Sequence, residues 1–235
     1  MKQKLSLIIF LLLTNTNIFA QSTPDFGFMP TLNIEKKIKP NTILNFFAYD
    51  INGSLQKPNT QTKQFRNKQF YSELALIQLF GKNQHWFGVL AYAFQRDFPF
   101  GTERLNEHRI FQEIGRVDQL GKGTLKNRLR LEERFIENRT LGNYPLSLRT
   151  RYLLSYKMPF GKAKKCYLMA FNDIFLATYP KSTPIFNENW AYGGIGFPLN
   201  KKMTLEPAIL WQNFATSNAS RGNQFLLETT LYIVL

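Results

Sequence analysis

Charged residues recur at every second position in the middle of this chain. Lys126, Arg128, Arg130, Glu132 and Arg134 alternate with Leu125, Leu129, Leu131 and Phe135. Arg149 and Arg151 continue the pattern in the next segment, against Leu146, Leu148, Tyr152, Leu154, Tyr156 and Met158. Glu107, Arg109 and Glu113 precede it by one segment. A period of two puts the charges on one face of a β-strand and the apolar side chains on the other, whereas a helix would scatter the charges all round. Adjacent strands lie about 4.8 Å apart, so the three charge rows can interleave. A basic lining of this kind could select anions. Interleaved with glutamates, it could equally form a salt-bridge network that fills a narrow interior.

The other chemistry-bearing residues form no constellation. His85 stands beside a turn, next to Trp86, and His108 has the opposite parity to Glu107 and Arg109. Ser147 and Ser155 are nucleophiles by type alone, and no Gly-x-Ser-x-Gly elbow is present. No catalytic residue is therefore assigned. One Cys and two dispersed His lack zinc-ligand spacing, so no metal site is expected. Glu132 and Glu133 point to opposite faces of their strand, and Asp173 gains no role. Gly193-Gly194-Ile195-Gly196 sits within a strand pattern, where glycine more often marks a bend than a phosphate cradle. No cofactor is implied.

The elements that would position the charges are spaced by short turns. These turns read Lys39-Pro40-Asn41, Gly81-Lys82-Asn83, Gly121-Lys122-Gly123, Gly161-Lys162 and Asn200-Lys201, about 40 residues apart. Strands are predicted over 31–38, 42–51, 68–80, 84–96, 106–118, 125–135, 146–158, 166–177, 187–198, 202–214 and 223–235. Most reach the roughly 9–11 residues that a tilted membrane strand needs. The longer connections 52–66, 98–105, 178–186 and 215–222 alternate with the short turns, as external loops alternate with periplasmic turns in outer-membrane barrels. About eleven strands sit badly with an even count that leaves both termini at one rim. Residues 22–29 could supply a partial twelfth strand, or 31–38 could lie outside the wall. The expectation is all-β: a transmembrane up-and-down antiparallel β-barrel of 10–12 strands, with twelve favoured.

The ends of the chain fit that architecture. Lys2 and Lys4, the run Leu5–Leu13 and Ile18-Phe19-Ala20 make a signal peptide over 1–20, leaving one barrel domain over 21–235. The apolar run is too short for the roughly 20 residues of a membrane helix. Aromatics make up 15% of the chain, although its mean hydropathy is slightly negative. A barrel reconciles the two, because only every second residue meets lipid. Phe225, Leu227, Leu231, Ile233 and Leu235 share one parity in a closing strand, although the last residue is not the usual aromatic. The single cysteine, Cys166, excludes an internal disulfide.

Glu107-His108-Arg109-Ile110-Phe111-Gln112, Arg128-Leu129-Arg130-Leu131-Glu132-Glu133-Arg134, Arg149-Thr150-Arg151-Tyr152 and Asn172-Asp173-Ile174-Phe175 are the segments that carry a family likeness. On these the chain resembles an uncharacterised outer-membrane barrel family, a domain of unknown function common in Bacteroidota. The resemblance implies a barrel and brings no activity or site residues.

A net charge of +14 invites a nucleic-acid partner. Export removes that partner, and the arginines alternate with apolar residues instead of forming a patch. The expected partners are membrane lipid or lipopolysaccharide, the barrel-assembly machinery and, for a pore, small anionic solutes. The leading expectation is a non-enzymatic barrel in the outer membrane of a two-membrane bacterium. Because a barrel of this size is narrower than a porin, a structural role for the charges is favoured over transport. A barrel-embedded lipid-modifying enzyme using His108 or His85 is the alternative, and a soluble periplasmic ligand-binding barrel ranks below it.

Overall fold

The computed structural model describes residues 24–56, 63–161, 165–181, 185–216 and 220–235. The expected signal peptide over 1–20, and Lys162 of the fourth turn, lie outside the described residues. Alternating apolar and polar residues favour pleated strands, and eleven form: β1 Asp25–Lys39, β2 Thr42–Gln56, β3 Lys63–Phe80, β4 Trp86–Asp97, β5 Leu105–Leu120, β6 Gly123–Ile136, β7 Leu146–Phe160, β8 Cys166–Tyr179, β9 Phe186–Pro198, β10 Met203–Ala215 and β11 Arg221–Val234. Each pairs antiparallel with its sequence neighbour, and β1 pairs with β11 to close the barrel. Closure leaves no edge, so each strand has a hydrogen-bonding neighbour on both sides.

The count of twelve was an overestimate. Of the segment 22–29 expected as a partial twelfth strand, residues 25–29 belong to β1, which begins at Asp25 and runs without interruption to Lys39. The odd number closes because β1 lies parallel to β11, in register from Asp25↔Gln224 to Glu35↔Val234. An even count is needed only if the seam is antiparallel. The polar stretch 52–66 is also mostly strand, since β2 continues to Gln56 and β3 starts at Lys63.

The short connections lie at one rim together with the end of β11. Gly81, Gly121 and Gly161 adopt positive φ there, at 79°, 61° and 84°, as tight turns require. The longer connections share the other rim with the start of β1. Between the rims the two faces differ in kind. Leu44, Leu74, Leu90, Ile114, Leu131 and Ile209 are among many large apolar side chains exposed on the outer face. Many of the buried side chains, including Glu132 and Asp173, point into the lumen.

The parallel seam can be tested directly. With Cys166 replaced by Ser, the outward-facing pair Leu32→Cys and Leu231→Cys should form a disulfide on mild oxidation. They are register partners across β1 and β11, within the Cα separation a disulfide spans. A pair of Leu32→Cys with Phe225→Cys should not crosslink. The reverse pattern would mean a different closure.

Candidate functional site: a charge-balanced belt in the lumen

Register brings the central charges together. Glu113, Arg130, Arg151 and Phe175 are successive partners across β5 to β8, and Phe111, Glu132, Arg149 and Ala177 form the adjoining row. All nine sequence-predicted residues, Glu107, Arg109, Glu113, Arg128, Arg130, Glu132, Arg134, Arg149 and Arg151, join one lumenal network.

Glu132 is its hub. Its carboxylate accepts from Arg149 Nε at 2.6 Å and Arg151 Nη1 at 3.1 Å, with Arg130 at 3.5 Å and Arg109 at 3.8 Å. Glu107 accepts two parallel bonds of 2.7 Å from Arg134 and a third from Arg109 Nε at 2.8 Å. Glu113 accepts from Arg130 and lies 3.5 Å from Arg128. Bidentate and shared geometries of this kind are the stronger, charge-assisted hydrogen bonds.

Three acids outside the predicted set complete the belt. Asp173 accepts from Arg128 at 2.7 Å and from Arg151. Glu188 faces Arg149 at 3.6 Å and Glu73 faces Arg130 at 3.7 Å. The assignment of no role to Asp173 thus missed a paired, buried carboxylate. Each missed acid shares the lumenal parity of its own strand, Asp173 between Phe171 and Phe175 and Glu73 between Tyr71 and Ala75. That parity was the available signal. Six arginines (109, 128, 130, 134, 149, 151) therefore meet six acids (73, 107, 113, 132, 173, 188).

Aromatic faces support the guanidiniums. Arg130 lies 3.7 Å over the Phe111 ring, and Arg151 and Arg149 lie 4.1 and 4.8 Å over Phe175. Such stacking suits the planar, weakly hydrated guanidinium and would not hold a lysine in the same way.

A lumenal cavity of about 840 Å³ adjoins the belt. Stacked Tyr49–Tyr71 and Phe171–Tyr192 pairs line it, at 4.9 and 4.5 Å between centroids. Glu206 and Glu228, on the opposite wall, also face it. Tyr192 donates to Glu206 at 2.5 Å, and Thr230 donates to Glu228 at 2.9 Å. Neither acid stands out in the sequence, because each lies among uncharged neighbours.

The histidines lie apart from the serines. His108 faces outward, where its Nδ1 is 2.6 Å from the Tyr92 hydroxyl and its ring packs with Phe94 and Tyr144. His85 Nδ1 lies 2.8 Å from the Val117 carbonyl at the turn rim. Ser147 donates to the Tyr179 carbonyl, and Ser155 is buried on the lumenal face. No cluster of three metal-binding side chains occurs among the described residues.

A family model described as "Protein of unknown function (DUF2490)" matches residues 31–223, from β1 into β11. The chain belongs to that family. The match to DUF2490 spans the whole belt and, like the resemblance, brings no assigned role. No curated protein and no solved structure matches the chain.

Removing one hub charge should be costly. Glu132→Gln strands several buried guanidiniums, and breaking a buried pair costs roughly 3–5 kcal/mol. A lowered urea midpoint is the expected result. Adding Arg149→Gln should recover part of the loss, as expected for directly coupled residues. An unchanged midpoint for Glu132→Gln would mean that the belt does not hold the strands.

Proposed function

We propose that this DUF2490 member is an outer-membrane barrel of a two-membrane bacterium whose lumen is braced and closed by the neutral belt, rather than an open anion pore. The carrying observation is the match of six arginines by six acids. A selective lining needs charge left over to attract the solute, and here the arginines are committed to carboxylates. The belt braces β3 and β5 to β9 against one another.

The outer face supports the membrane setting. Each of the eleven strands exposes at least one large apolar side chain, from Phe28 on β1 through Leu90 on β4 and Leu129 on β6 to Leu227 on β11. Contiguous apolar surface of that extent is not kept in water by monomeric soluble proteins. The strands, at 12–18 residues, exceed the roughly 9–11 needed to cross. In this setting the partners are lipid or lipopolysaccharide and the barrel-assembly machinery. A lipid hydrolase is not favoured, because His108 faces outward while Ser155 faces the lumen.

Two measurements test the proposal. Membrane fractionation should recover the protein with the outer membrane, and a soluble periplasmic pool would sink the setting. In planar bilayers the wild-type protein should show no steady anion-selective conductance. A conductance that falls in Arg128→Ala and Arg130→Ala variants would instead establish the pore.

A further inference from the structure

The wall has a discontinuity between β9 and β10. Their register is continuous from Leu205↔Phe197 to Ala208↔Gly194, yet Glu206 and Pro207 have no partners in β9. Pro207 has no N–H to give the carbonyl of its register position, Ile195, so the ladder lapses there. On its other side β10 pairs fully, Pro207↔Thr229 included.

An apolar groove of about 680 Å³ lies on the outer surface at this lapse, lined by Leu168, Ile195, Pro207, Ile209 and Leu227. Outward-facing Gly193 leaves it open, since a Cβ there would meet nothing within 4 Å. Met169, Gly194 and Ala208 are register partners facing the lumen, yet all three also line the outer groove. Met169 lines the lumenal cavity as well, so one residue borders both spaces.

We propose that this stretch of β9 and β10 is a lateral portal, through which one acyl chain of a membrane lipid passes from the outer groove into the lumenal cavity. The proposal rests on the membrane setting given above. Hydrocarbon is the solvent against the groove, and the groove lining is almost wholly apolar. The aromatic pair Phe171–Tyr192 extends an apolar path beyond Met169. Strand separation at this point breaks fewer hydrogen bonds than elsewhere along the same pair. Pro30 causes a similar lapse between β1 and β2, where Met29 and Pro30 are unpaired with β2. The outer surface beside that lapse carries the stacked Phe28 and Phe65 rings, so it serves as an internal control.

The test uses the full-length protein in bilayers containing phosphatidylethanolamine with a diazirine near the end of one acyl chain. After illumination, adducts are located by peptide mass spectrometry. Lumen-facing Met169 and Tyr192 should be labelled, alongside the outer belt residues Leu129 and Leu131. Gly193→Phe fills the groove, and Pro207→Thr restores the missing N–H. Each should reduce the lumenal adducts several-fold without changing those of the belt, whereas Pro30→Thr should leave both sets unchanged. Labelling confined to outward-facing residues would overturn the portal and leave the membrane setting intact. Lumenal labelling that survives both Gly193→Phe and Pro207→Thr would also overturn it. Absence of belt labelling would remove the membrane setting, and the portal with it.

Discussion

One buried carboxylate, that of Glu132, holds four arginines of three neighbouring strands in place. Burying an unpaired guanidinium is expensive, so arginines can occupy a barrel interior only where acids meet them at matching height. The register of β5 to β8 is therefore constrained twice, by its backbone ladder and by the pairing of its charges. A slip of one residue would turn the whole charged row outward and the leucines inward. Pleat, register and ion pairing give the same answer, and that agreement selects one arrangement of these strands.

The opposite wall is built differently. From β9 to β11 the lumenal residues include Gly194, Ala208, Tyr192 and Tyr232, with Glu206 and Glu228 bonded to hydroxyls. Charge braces one side of the barrel, while small and aromatic side chains leave room on the other. The belt lines one side of the cavity, and Tyr192, Tyr232, Glu206 and Glu228 line the other. The proline lapses fall on this weaker side, flanking the ribbon β10–β11–β1. Stability and openness are thus divided around the circumference.

Much of this was legible in the sequence because barrel structure is local in one respect: parity. The alternation around Arg130 and Arg151 gave the faces correctly, and the glycine turns near residues 81, 121 and 161 gave the hairpins. What parity cannot supply is which strand's acid meets which strand's base. Asp173 and Glu73 were passed over because each is a single charge among aromatic and aliphatic neighbours. Their partners lie one or more strands away, at heights set by register. The neutrality of the belt depends on them, so a chain read segment by segment looks more basic inside than the folded barrel is. The eleven strands were legible too; only the preference for a twelfth assumed that both ends of the barrel chain lie at one rim, and the parallel seam removes that condition.

That seam also bears on how the barrel can assemble. Ten of the strands can pair off as hairpins whose partners are adjacent in sequence, but an odd strand always remains. β1 must find β11, nearly the full length of the chain away, and this contact carries the largest loop-closure entropy in the molecule. Until it forms, both strands present open edges. Closure is therefore a late, non-local event, and it leaves the start of β1 and the end of β11 at opposite rims.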